Sequence, residues 1–315
     1  MRRKRKVMIQ SSQKHTDKDY RTTYTGEECM RTAVITDSNS GIFKDDAQRL
    51  GIHIIAMPVM IDGKTYYENE NITRQEFFEA LRKDKDISTS QPPVGKLIET
   101  FDEVLKSADE IVYIPMSSGL SGACQSAILT SQEYDGKVQV VDNRRISISQ
   151  KQSVMEALKL VEEGKAAAEI KDILEQKSAE AVIFLTVSSL NQFRKSGRIK
   201  PTVAALGNLI HIHPVLRTDG GKFDAYTNAH GLTKARSAMI RAIAQARTTV
   251  FRNYTDDQLY IASADSYEAG RYTEKYKAYV QEQFPQYSYF HDPLPLSICG
   301  HTGADAIGIG MFPKP

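Results

Sequence analysis

From Arg31 to about Gln176, short apolar runs alternate with stretches of helical spacing, and that alternation limits the chain to few folds. Thr32-Ala33-Val34-Ile35-Thr36 reads as a short buried strand, Asp37 to Gly41 as a turn, and residues 43–50 as a helix stopped by Gly51. Residues 52–61 form the next apolar run, read as one strand, with Asp62-Gly63 marking a hairpin turn. Thr73 and Glu76 have the spacing of a capping box and open a helix through Leu81. Pro92 and Pro93 suit the start of a helix over residues 94–106. A strand at 111–115, a helix at 123–133, a strand at 138–141 and helices through Gly164 and Gln176 follow. Strands alternating with helices give a mostly parallel sheet covered on both faces.

The second half is patterned differently. Strands at 181–187 and 211–217 precede Asp219-Gly220-Gly221, which turns the chain into residues 222–227 as an antiparallel hairpin. A long helix from 232 to about 251, a strand at 259–264, a helix at 267–284 and strands at 288–291 and 307–312 complete it. At 315 residues the chain favours two domains. The expected division is an N-terminal α/β domain over 31–178 and a C-terminal α+β domain with antiparallel strands over 179–315. Residues 1–30, opening Met1-Arg2-Arg3-Lys4-Arg5-Lys6, are rich in Lys, Arg, Ser, Thr and Gln and are expected to be a disordered basic extension. Transient contact with acidic lipid headgroups is the alternative for that segment.

A net charge of +2, with charged residues at 25%, predicts no nucleic-acid footprint. Cys29, Cys124 and Cys299 form no CxxC pair, which fits reduced thiols in the cytoplasm and argues against zinc or a disulfide framework. No apolar run reaches the length of a membrane span, and the basic start lacks the apolar core of a secretory signal. GxxxxGK[ST], a GxGxxG after a strand, HExxH and GxSxG are all missing, so kinase or dehydrogenase chemistry by this chain alone is not expected. No cofactor or metal site is expected either.

The candidate site residues lie in turns. Ser117-Ser118-Gly119-Leu120-Ser121-Gly122 joins a strand to a helix, where free N–H groups and the helix dipole attract an anion. Plain helix capping by serine explains the same pattern. Ser88-Thr89-Ser90-Gln91-Pro92 stands before a helix with the same two readings. His301 lies among Gly300, Gly303, Gly308 and Gly310 in what reads as a flexible loop that lets backbone approach a ligand. Lys195-Ser196-Gly197-Arg198-Ile199 is a basic turn suited to a phosphate. Asp37 and Asp142, at strand ends, read as turn caps rather than metal ligands.

Together these segments resemble the DegV family, also described as FakB-type fatty-acid-binding proteins. The matching pieces are Thr36-Asp37-Ser38, Thr89-Ser90-Gln91-Pro92, the run from Ser117 to Gly122, Gly197-Arg198-Ile199 and His301-Thr302-Gly303. They occur in family order from Arg31 to Met311. The resemblance implies a two-domain α/β fold with one long-chain fatty acid buried between sheet and helices. It implies a carboxylate held by Thr89, Ser121 and His301, with Ser90, Ser118 and the Gly122 backbone as neighbours. It also implies a partner, an ATP-binding fatty acid kinase subunit that makes acyl phosphate, with Arg198 and His230 as docking positions. This chain would then carry the lipid without catalysis of its own.

Three positions depart from the family pattern: Asp305 in the terminal loop, His213 before Pro214, and His230 after the hairpin. Lipid binding is expected to survive them, while kinase pairing is the property they touch. Two other functions remain open on the sequence. One is a Ser/His acyl hydrolase or acyltransferase using Ser121 and His301, with Asp305 to orient the histidine. The other is a lipid-responsive regulator without a kinase partner.

Overall fold

The computed structural model describes residues 30–205, 212–267 and 271–315, so the extension expected to be disordered lies outside the described residues apart from Met30. The first half contains, in order, β1 (Thr32–Asp37), α1 (Lys44–Leu50), β2 (His53–Ile55), β3 (Pro58–Ile61), β4 (Lys64–Tyr67), α2 (Arg74–Arg82) and β5 (Ile87–Thr89). It continues with α3 (Val94–Val104), β6 (Glu110–Ile114), α4 (Ala123–Ser131), β7 (Val138–Val140), α5 (Ile148–Glu162) and α6 (Ala167–Gln176). A parallel sheet forms in the order β2-β1-β6-β7. Its inner strands, β1 and β6, are buried on both faces. Val34, Val112 and Ile114 pack with Val154, Ile170 and Leu174 of α5 and α6. Ile35, Ile111 and Tyr113 point the other way, onto Leu97 and Phe101 of α3 and Ala127 of α4.

The apolar run at 52–61 is two strands, not one. Ala56 and Met57 carry the chain out of the parallel sheet, and Pro58, with no N–H to donate, begins β3 in a separate antiparallel sheet ordered β4-β3-β5. Ser88 and Thr89, expected in a turn, belong to β5 and pair with Met60 and Val59. The capping box at α2 is present in both directions, with Thr73 accepting from the Glu76 N–H and the Glu76 carboxylate accepting from Thr73.

The second half contains β8 (Val182–Thr186), α7 (Asn191–Ser196), α8 (Pro201–Ala204), β9 (Ile212–Thr218), β10 (Asp224–His230), α9 (Leu232–Thr249) and β11 (Leu259–Asp265). Then come α10 (Arg271–Gln283), β12 (Ser288–Pro293), α11 (Leu296–Thr302) and β13 (Ile307–Pro313). Its sheet runs β10-β9-β8-β13-β11-β12, antiparallel except for the parallel β11–β12 pair at one edge. Ala235, Ala238, Ala242 and Ala246 on α9 give it a narrow face that packs closely on Val215, Ile307 and Ile309.

The proposed boundary near Ser178 falls in the turn between α6 and β8. The halves are joined firmly. Lys151 of α5 pairs with Asp292 of β12 at 2.8 Å, and Gln152 donates to the Pro313 carbonyl at 3.0 Å. One core cluster draws Met116, Leu120 and Ile146 from the first half and Phe193, Phe223 and Leu296 from the second. A cavity opens beside that shared core.

Candidate functional site

Strand ends from the first half supply one wall of the cavity. Thr89 is the last residue of β5, and the two prolines after Gln91 turn the chain straight into α3. After β6 the chain folds tightly on itself, with the Leu120 and Ser121 N–H groups both donating to the Ser117 carbonyl at 3.1 Å. Ser121 Oγ accepts the Ala123 N–H at 3.2 Å, so it steadies the first turn of α4 and still lines the cavity. The N-cap of α4 is Gly122, so Ser121 bonds the first helical N–H from one position before the cap. Asp37 ties this wall together from beneath. Buried at the end of β1, it accepts from the Asn39 N–H at 3.0 Å, the Met116 N–H at 2.8 Å and Gln150 Nε2 at 3.0 Å. Burial pushes its pKa up, against the pull of those hydrogen bonds. Its contacts are those of a cap and a tie.

The second half supplies the other wall through α11. His301 does not sit in a flexible loop: it occupies the last turn of this helix, half-buried, before Gly303 ends it at φ +83. The run from Leu296 to Thr302 folds as a helix because Pro295 precedes its first turn and Gly303 supplies the stop. His301 Nε2 lies 2.8 Å from Thr89 Oγ1, across 212 positions of sequence. Burial, reinforced by the Arg198 charge, lowers the His301 pKa to about 4, so the ring is neutral near pH 7. Its Nδ1 is buried and has no hydrogen-bond partner among the described residues.

The cavity has a volume of about 210 Å³. Asn39, Thr89, Ser121, Arg198, Ser297 and His301 give it polar groups, while Met57, Met116, Leu120, Ile146, Phe193 and Phe223 give it an apolar lining. Ser90 and Gly122 line it as well, both at its exposed side. A Cβ on Gly122 would stand 2.8 Å from Gln91 Oε1, the end of an exposed, flexible side chain that would have to move aside.

Ser118 is not brought into the cavity. It is exposed, and its N–H donates to Asp142 Oδ1 at 3.2 Å. Arg198 follows α7 and Gly197, and its half-buried guanidinium donates to the Leu120 carbonyl at 3.2 Å and the Ser196 carbonyl at 2.5 Å. That places it in the cavity wall. His230 is elsewhere, exposed at the end of β10 in a surface hollow shared with Lys234 and Arg241. Asp305 accepts from Ser188 Oγ at 3.0 Å and lines a different hollow with His213.

Sequence reasoning missed Asn39, Ser297, Phe193 and Phe223. Asn39 lies inside the turn from Asp37 to Gly41, beside the family-matching Thr36-Asp37-Ser38. Ser297 stands four residues before His301 and would have joined it had residues 296–302 been read as a helix.

The arrangement offers hydroxyl, imidazole, amide and guanidinium groups to a small anionic head, next to an apolar lining. It does not form a nucleophilic triad: His301 is bonded to Thr89 rather than Ser121, and Asp305 is engaged by Ser188. Among the described residues no group of three or more His, Cys, Asp or Glu is placed to hold a metal ion. No described helix is long and apolar enough to cross a membrane.

Comparison with known proteins bears on this site. A family profile described as "Uncharacterised protein, DegV family" matches residues 31–314. A DegV domain-containing protein of Staphylococcus aureus (strain N315) is 31% identical over 281 residues, spanning 89% of this chain and 98% of the relative. Another from Deinococcus radiodurans is 33% identical over 207 residues, covering 65% of this chain and 74% of the relative. Among solved structures, one described as "Fatty Acid Binding of a DegV family Protein from Thermus thermophilus" superposes with a TM-score of 0.81 at 28% identity, covering 90% of this chain and all 100% of that one. DegV from Bacillus subtilis, at 24% identity and a TM-score of 0.79 over 90% of this chain and 100% of its own, shares the fold.

Proposed function

The chain belongs to the DegV family, and from that premise we propose that it binds one long-chain fatty acid in the cavity between its halves. The observation that carries this reading is the Thr89–His301 pair, polar and neutral, set in a wall whose other members are largely apolar. The Thermus thermophilus relative, described as fatty-acid-binding, supports the same ligand class. Burying about fifteen methylenes at ~0.8 kcal/mol each gives a gross gain of roughly 12 kcal/mol before the costs of association. Affinity then comes from the tail. Met57 and Met116, unbranched and adaptable, suit the path of such a chain.

The carboxylate must be hydrogen-bonded, since an unpaired buried charge is costly. Ser90, Ser121, the Gly122 N–H and the Thr89–His301 pair are the donors in this reading. With the ring neutral, the pair keeps one proton for the carboxylate, on Thr89 Oγ1 or on His301 Nδ1, and Arg198 adds a positive charge from the same wall. Ser118 steadies the loop from outside. His230 remains on the outer surface, where contact with a partner is the role we assign it.

The further step is presentation of the carboxylate to a separate ATP-binding kinase subunit in the cytoplasm, which transfers phosphate to it. Phosphoryl transfer depends mainly on in-line placement of the attacking oxygen, which a rigid head-group clamp supplies. On this reading the chain carries and orients the lipid and performs no catalysis.

Mass spectrometry of an organic extract of the purified protein tests ligand binding. The expected result is a long-chain fatty acid in near-equal molar amount; no acyl species, together with failure to take up added fatty acid, refutes it. Incubation with ATP and oleate, with and without a kinase subunit, tests presentation. Acyl phosphate is expected only when the kinase is present.

A further inference from the structure

Asn39 sits in the single turn of 3-10 helix Ser38–Ser40 directly after β1 and is only 1% exposed. Its Oδ1 accepts the Ser297 hydroxyl at 2.6 Å, which uses the amide as an acceptor. Nδ2 is then left buried, with no hydrogen-bond partner among the described residues, on a residue that lines the cavity. A bare buried amide donor is costly and is normally met by protein, ordered water or a ligand. Ser297 and His301 are four residues apart on α11 and so share one helix face. One holds Asn39 and the other pairs with Thr89, and each contact leaves a bare buried nitrogen, Asn39 Nδ2 and His301 Nδ1.

We infer that Asn39 donates through Nδ2 to the bound carboxylate and so makes the cavity prefer an acid over a neutral lipid head. The inference rests on the reading of this cavity as a fatty-acid site. Its logic is one of capacity. An ionised carboxylate offers two oxygens and about four acceptor positions, enough for Asn39 alongside hydroxyl and imidazole donors. An alcohol oxygen offers about two and carries no charge to strengthen them. Losing the Asn39 donor therefore weakens the acid selectively.

The test uses the full chain stripped of lipid and measures displacement of a fluorescent fatty acid by oleate and by oleyl alcohol. Asn39→Asp keeps the shape and the acceptor for Ser297 but replaces the donor with a negative charge. Asn39→Ala removes both groups. In each variant oleate affinity is expected to fall about tenfold or more, and oleyl alcohol affinity by less than about threefold. Equal weakening of both ligands, or undiminished oleate binding in a variant that keeps its fold by circular dichroism, overturns the role of Asn39. A readout on the unaltered protein guards against variants that do not fold. The Asn39 side-chain amide resonance should move with oleate and stay with oleyl alcohol, and a resonance that ignores oleate overturns the inference. Wild-type protein that binds neither ligand sinks the fatty-acid reading itself, and this inference with it; normal wild-type binding with an unchanged acid preference in the variants removes Asn39 alone.

Discussion

The loop after β6 divides into two regions with the same kinds of residue and different tasks. Ser117 and Gly119 meet the hairpin between β9 and β10: Ser117 Oγ donates to the Gly220 carbonyl, and a Cβ on Gly119 would stand 2.5 Å from that same oxygen. Leu120, Ser121 and Gly122 line the cavity. The first stretch is a joint between the two halves and the second is a wall of the cavity proposed to hold lipid. A hydroxyl next to a glycine thus gets its role from what the rest of the fold brings against it. A run that reads as one anion cradle is half joint and half cavity wall.

Substitutions at the joint should cost stability, and those at the site should cost lipid handling. The largest effect is expected at Gly220, which holds φ +94 and would place a Cβ against the Arg144 backbone and side chain. Gly220→Ala should destabilise by about 3 kcal/mol or more, from backbone strain and overpacking together. Urea unfolding measures it, and wild-type stability in that variant would break the joint half of the comparison. Ser117→Ala leaves the Gly220 carbonyl without its donor and should cost about 1–3 kcal/mol, with oleate affinity nearly unchanged.

The site half predicts the reverse. Ser121→Ala, and either Thr89→Ala or His301→Ala through the one donor that pair shares, should each weaken bonding to a charged head by about 1.5–3 kcal/mol, a fraction of what the tail contributes. These variants should keep their lipid yet lose most acyl-phosphate formation with a kinase subunit, because the attacking oxygen is free to swing. Emptied variants, or variants with full activity, would count against the clamp.

A smaller, pH-dependent effect sharpens the contrast. His301 is held to about 4 by burial and the Arg198 charge, and His291 to about 4 by burial and Lys277. Their unfolded forms titrate near 6.5, so between about pH 6.5 and pH 4 the unfolded chain binds protons that the native one refuses. Stability from these groups is fully present above about pH 6.5 and drains away as pH falls through that window. Thermal midpoints of the lipid-free protein should decline over that range, and His301→Gln should flatten part of the slope. An unaltered slope would mean His301 is not held neutral. Least of all is expected from His230→Ala, a surface change within about 0.5 kcal/mol that leaves oleate binding intact and alters only work with a partner.

Much of this was legible in the sequence because it is local. The buried parallel strands, the Thr73–Glu76 capping box and the hairpin at Asp219-Gly220-Gly221 each carry their signal within a few residues. What was hidden depends on contacts across the chain. Residues 52–61 are apolar throughout, so nothing in their hydrophobicity marks where β2 leaves one sheet and β3 joins another. α11 carried a start at Pro295 and a stop at Gly303, but the density of glycines around His301 pointed to a loop. The task of Ser117 is set by Gly220, 103 positions away, and that of Arg198 by the Leu120 carbonyl, 78 away. Side-chain type could not assign either one.

The most direct test of the central claim is an NMR titration of the protein with oleate isotope-labelled at its carboxyl carbon. One bound resonance, distinct from free oleate, is expected at near-equal stoichiometry. Ser121→Ala and His301→Ala should shift it, and Ser117→Ala should leave it in place. Absence of any distinct bound resonance, or a shift in Ser117→Ala as large as that in Ser121→Ala, would contradict a carboxylate held in this cavity by the second half of the loop.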